Sequence, residues 1–177
     1  MSKKLLVLTG SARPNTVSDA LLPYFEQAVA AHEGTTLEVV KVADLNLPFY
    51  NAPTPPSAEG YEATDAKVKS WSEKVQDADA VIWLMPEYNH SITGIQKNAI
   101  DWLYAEWKDK PLGIVAYGFY EGKYVLESIQ NVIDVVSPDV RNKVGLGLMK
   151  HLNPDGSAIE EDEVVSRINA IVAAVLS

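Results

Sequence analysis

Ala80-Val81-Ile82-Trp83-Leu84-Met85-Pro86-Glu87-Tyr88-Asn89-His90-Ser91-Ile92-Thr93-Gly94 is the stretch on which the fold turns. Its apolar run, Ala80 to Leu84, shows no alternation, as a parallel strand buried on both faces requires, and Pro86 stops it. A polar loop follows, and helical periodicity begins after Gly94. This is one strand–loop–helix unit. The same unit repeats in both directions along the chain.

Toward the N-terminus, Val68, Trp71, Val75 and Ala78 mark a helix face. Residues 46 to 60 hold Pro48, Pro53, Pro55 and Pro56 and read as an irregular surface loop. Leu37 to Val42 is a strand, and Val17, Leu21, Leu22, Phe25 and Val29 form a helical stripe. Leu5 to Leu8 is the first strand. Toward the C-terminus, Leu112 to Tyr117 is a fourth strand. Val125, Ile129, Val132, Ile133 and Val136 predict one helix closed by Pro138. Val144 to Met149 is the fifth strand despite Gly145 and Gly147, and Val165, Ile168, Ile171, Val172 and Val175 mark the last helix. Alternating strands and helices imply an α/β fold, a parallel sheet covered on both faces. Five strands suit the flavodoxin-like three-layer sandwich of order 2-1-3-4-5, here as one domain over residues 1–177. In that order ligands bind beyond the carboxyl ends of strands one and three.

Composition narrows the function. The chain has no cysteine, which excludes disulfides, thiolate nucleophiles and cysteine-held metals. Fifteen basic against twenty-four acidic residues give a net charge of −9, the wrong sign for nucleic acid or an anionic membrane. The three histidines, His32, His90 and His151, lie on separate elements, so no metal site is expected. The N-terminal segment reads as a strand and not as a signal peptide, and a cytoplasmic protein without membrane insertion is expected.

The two loops at the switch point are the richest in chemistry. Gly10 to Ser18 offers hydroxyls at Ser11, Thr16 and Ser18, the Arg13 guanidinium and the free amides of a helix start, all suited to a phosphate. No carboxylate precedes Asp19. The alternative is structural: Thr16 or Ser18 caps the helix, and Arg13 pairs with a surface carboxylate. Pro86 to Gly94 carries free backbone groups suited to the edge of a flat heterocycle, with Tyr88 available to cover a ring face. Ser91 or Thr93 can cap the next helix, whereas His90 reads as an ordinary loop side chain.

Gly10-Ser11-x-Arg13, together with Pro86-Glu87-Tyr88-Asn89-x-Ser91-x-x-Gly94-x-x-Lys97-Asn98-Ala99-Ile100-Asp101-Trp102, resembles the NADPH-dependent FMN reductase family of flavodoxin-like quinone and flavin reductases. The resemblance implies that Ser11, Arg13, Thr16 and Ser18, with Val17 between them, hold the FMN phosphate. Pro86, Glu87, Tyr88 and Asn89 border the isoalloxazine, Ser91 and Gly94 shape the helix entry, and Gly118 lies beside the ring. It further implies hydride transfer from NAD(P)H to FMN, then two-electron transfer to a quinone, flavin, azo compound or metal oxyanion. No side chain is assigned a catalytic role. The sequence departs from the family at Thr93, at Asn15-Thr16-Val17-Ser18 and at Phe119-Tyr120-Glu121-Gly122. Tyr88 and Glu121 are the side chains expected to touch substrate.

The segment from Gly94 to Lys108 carries Ile95, Ile100, Trp102, Leu103, Tyr104 and Trp107 around much of its circumference. Expectation divides between a homodimer, or a tetramer, formed through this helix and simple burial within the monomer. Lys97 and Asp101 are spaced to pair. Two rival functions stand beside the reductase: an FMN electron carrier without NAD(P)H activity of its own, and a flavin-free regulatory protein on the same fold.

Overall fold

A computed structural model describes residues 2–14 and 16–177, so Asn15 of the first loop lies outside the described residues. The strands are β1 (Lys3–Thr9), β2 (Thr35–Lys41), β3 (Ala80–Pro86), β4 (Pro111–Gly118) and β5 (Asp139–Gly147). The helices are α1 (Val17–Ala30), α2 (Ala66–Asp77), α3 (Gly94–Asp101), α4 (Lys123–Ser128), α5 (Gln130–Val136) and α6 (Glu161–Leu176). All strand pairs are parallel, in the order β2-β1-β3-β4-β5. The sheet therefore has the predicted topology, and its switch point opens between β1 and β3.

Period-2 geometry sends alternate residues of each strand to opposite faces, and two cores result. Leu6, Leu8, Trp83 and Met85 pack with α2 and α3, while Leu5, Val7, Ile82 and Leu84 pack with α1 and α6. No helix among the described residues is long and apolar enough to cross a membrane.

Three elements differ from expectation, each for a tertiary reason. The fifth strand starts at Asp139 and ends at Gly147, not at Val144 and Met149, because it is an edge strand whose polar first half pairs with residues 111–114 of β4. The helix expected through Val136 is two short helices joined at Ile129. The helix from Gly94 stops at Asp101, not at Lys108. Its end is held by tryptophans: Trp71 Nε1 donates to Ala99 O (2.8 Å) and Trp107 Nε1 to Ile100 O (3.1 Å), serving carbonyls that a helix end leaves without partners. Trp107 then packs edge-on against Trp83, with ring centroids 5.3 Å apart. Ile100, Trp102, Leu103 and Trp107 are all buried in the chain's own core. Burial within the monomer thus accounts for Trp102 and Trp107, while Ile95 and Tyr104 of the expected interface stay half-buried. Lys97 and Asp101 pair within the helix at 2.6 Å.

Candidate functional site

Loops from β1, β3, β4 and β5 surround a crevice of about 450 Å³ at the carboxyl end of the sheet. That volume falls in the range of small-molecule and cofactor sites. Each loop is held by a neighbouring element.

The loop after β1 is clamped from α3. Gly10 N donates to Leu84 O (2.8 Å), Thr93 Oγ1 donates to Gly10 O (2.6 Å), and Gln96 Nε2 reaches Leu8 O (3.4 Å). A Cβ on Gly10 would lie 1.9 Å from Gln96 Oε1, so the position admits only glycine without a shift of the buried glutamine. Thr93, not Ser91, caps α3 by accepting from Gln96 N (3.2 Å).

Ser11, Arg13, Thr16 and Val17 line the crevice as expected. Ser11 Oγ accepts from Arg13 N (3.2 Å) and meets the Tyr88 hydroxyl at 3.2 Å. Thr16 also serves as the N-cap of α1 in a capping box with Asp19, to which its hydroxyl donates at 3.1 Å. Burial alone would raise the Asp19 carboxyl, but hydrogen bonds from Lys41 and from Thr16 outweigh it and hold the group low. Ser18 is only 1% exposed and does not line the crevice; its hydroxyl pairs with that of Tyr117 at 2.7 Å. Among the described residues, the Arg13 guanidinium has no carboxylate partner, and the backbone N–H groups of Ser11, Ala12 and Val17 have no internal acceptor.

The loop after β3 turns back at once. Tyr88 and Ser91 exchange both backbone hydrogen bonds at 3.0 Å, with Asn89 (φ 49°) and His90 (φ 63°) both left-handed between them. This is the backbone pattern of a type I′ turn, made without glycine. Ser91 thus shapes the loop through its main chain. His90 stacks on Tyr124 with ring centroids 4.0 Å apart. Pro86, Glu87, Tyr88 and Asn89 all border the crevice. The Glu87 carboxylate, however, accepts from Tyr124 N (3.0 Å) and Val125 N (3.3 Å), capping α4, whose own N-cap Gly122 supplies no side chain. Gly118 also lines the crevice, and a Cβ there would come within 2.9 Å of Glu87 Cβ.

Glu121 departs from expectation. It is absent from the crevice wall, and its carboxylate meets Lys150 at 2.6 Å and Arg167 at 3.4 Å. A hydrogen bond from Lys150 is the main reason its carboxyl sits below the ordinary range. Gly145 leaves room for this turn: a Cβ there would lie 2.2 Å from Glu121 O. Phe119 and Tyr120 face outward instead, 71% and 63% exposed, with Phe119 on the crevice wall. Tyr117, Leu148 and Pro154 complete the wall and were not anticipated. Tyr117 ends an apolar strand run, where a buried side chain gives no functional signal. Leu148 and Pro154 belong to a loop recognisable only by its turn residues Pro154-Asp155-Gly156.

A flavodoxin-like sheet with a phosphate-suited helix start and a backbone-lined slot on one crevice defines a mononucleotide-binding protein. The model of the NADPH-dependent FMN reductase family matches residues 3–136, and the chain belongs to that family. With membership come FMN as cofactor and NAD(P)H as hydride donor. An NAD(P)H-dependent FMN reductase of Nectria sp is 29% identical over 137 residues, 75% of this chain and 68% of that protein. A quinone reductase of Escherichia coli is 35% identical over 115 residues, 63% of this chain and 56% of the relative. The solved flavoenzyme NAD(P)H:(acceptor) oxidoreductase of Paracoccus denitrificans superimposes with a TM-score of 0.71 at 21% identity, covering 98% of this chain and 97% of its own, a likeness of fold.

Proposed function

We propose that this chain holds FMN in the crevice and reduces a quinone or similar small acceptor with NAD(P)H. The observation that carries this is the Arg13 guanidinium and the amides of Ser11, Ala12 and Val17, all without an acceptor among the described residues, beside the crevice that also holds the Tyr88–Ser91 turn. An anion is favoured at that helix start by the macrodipole and by N–H groups without carbonyl partners. In this reading Ser11, Arg13, Thr16 and Val17 hold the phosphate, while Pro86, Tyr88, Asn89 and Gly118 border the ring. FMN held there would supply the redox chemistry that links NAD(P)H to the acceptor. Tyr88, hydrogen-bonded to Ser11, ties the two halves of the site together.

The exposed ring of Phe119 is the outer part of the crevice wall available to nicotinamide and acceptor. We read the working unit as a homodimer in the cytoplasm, in which exposed large side chains such as Phe49 and Tyr120 would be covered by a second chain. Sedimentation at micromolar concentration tests that unit.

The deciding experiment titrates flavin-stripped protein with FMN, then adds NADPH or NADH without oxygen, then a quinone. Saturable binding, bleaching and recovery of the flavin colour support the reductase. Binding without bleaching by either nicotinamide makes the chain an electron carrier, and absence of binding removes flavin from the account.

A further inference from the structure

Tyr117, next to last in β4, lines the crevice and is 6% exposed, its phenol oxygen 2.7 Å from Ser18 Oγ. Two hydroxyls that share one hydrogen bond leave one hydroxyl hydrogen over. Ser18 is the second residue of α1, so its backbone N–H is among those that no intrahelical carbonyl can accept. The contact between Ser18 and Tyr117 is the one between their hydroxyls. Either hydroxyl can donate within the pair, but Tyr117 lines the crevice and Ser18 does not, so the hydrogen that can reach a crevice ligand is the phenol's. No other acceptor among the described residues takes that hydrogen.

The geometry points to Tyr117 as an additional anchor for an anionic cofactor, its phenol donating to a phosphate oxygen of FMN at the start of α1. This rests on the reading that FMN occupies the crevice, and it adds a donor from β4 to a phosphate site otherwise built from the loop after β1. Burial, the largest influence, pushes the phenol up to about 12, so it stays protonated and a donor throughout the working pH range. Tyr117 also spans the site, since its ring reaches from the β4 end to the helix that receives the phosphate.

The test compares FMN with riboflavin, which lacks only the phosphate, by quenching of flavin fluorescence. Tyr117→Phe keeps the ring and removes the donor. FMN affinity is expected to fall about ten- to a hundredfold, as for losing a hydrogen bond to a charged group, while riboflavin affinity stays within about threefold. Ser18→Ala leaves the phenol in place and should cost FMN less than Tyr117→Phe does. Equal losses for both flavins in Tyr117→Phe, or no loss for either, overturn the assignment. So does a phosphate-specific loss in Ser18→Ala as large as that in Tyr117→Phe, which would make the serine the anchor. Failure of the unmodified chain to bind FMN at all is a separate outcome that overturns the underlying reading itself.

Discussion

Glu87 lies on the wall of the crevice, yet its carboxylate spends its hydrogen-bonding capacity on the first turn of α4. Glu87→Ala removes the acceptor for two backbone N–H groups at 3.0 and 3.3 Å and leaves a six-residue helix with no side-chain cap. Losing a side-chain cap costs about 0.5–2 kcal/mol, and the carboxylate's favourable place at the positive end of the helix puts this case at about 1–2 kcal/mol. For a domain of this size that is a fall of about 2–8 °C in melting temperature. Glu87→Gln retains an acceptor oxygen and should recover more than half of the loss, the remainder being the charge–dipole part, about 0.3–1 kcal/mol. FMN affinity should change by less than about 0.7 kcal/mol, or threefold, in both variants. Differential scanning calorimetry and flavin titration on the same preparations separate the two roles. If Glu87→Ala melts within a degree of the unmodified chain but loses FMN, the side chain serves the ligand and the capping assignment is wrong.

Arg13→Ala should weaken FMN binding by about 1.5–3 kcal/mol through loss of a charge-assisted hydrogen bond, with riboflavin unaffected. Unchanged FMN affinity would put the phosphate elsewhere. Gly145→Ala sets a methyl 2.2 Å from the backbone oxygen of Glu121, which has no rotamer to escape by. A loss of about 1–3 kcal/mol is expected in chemical denaturation, and a wild-type midpoint would contradict the packing described for that turn. His151 accepts from Gly147 N at 2.8 Å through Nδ1, and burial first, then Arg167, holds its pKa below the ordinary 6.5. A group whose folded pKa is lowered contributes stability in full above its unfolded value and loses it as pH falls through the folded one. The stability gap between the unmodified chain and His151→Gln should therefore narrow below pH 6.5, and a gap that widens on acidification would show the sign to be wrong.

Strand order, both switch-point loops and most of the crevice wall followed from the sequence because apolar runs and turn residues are local signals. Boundaries set by distant partners did not. Nothing in Asp139 to Lys143 announces a strand until residues 111–114 of β4 are available to pair with it. The helix from Gly94 looked longer than it is because Trp102 to Trp107 keep an apolar periodicity while the backbone has already left the helix. Side-chain direction was the other blind spot. Glu87 and Glu121 sit on the expected loops, but one caps α4 and the other pairs with Lys150, contacts fixed only when the elements assemble.

The clamping of each loop by the next element divides the crevice into positions that can vary and positions that cannot. Gly10 is wedged on Gln96, Gly118 on Glu87, and Gly145 on the Glu121 turn, so changes there propagate into a neighbouring helix or strand. Phe119 has no such tie: its side chain projects into solvent from the same wall. Phe119 can therefore vary while the three wedged glycines and the thermal stability stay as they are, a separation testable by melting temperatures across a library confined to that one residue.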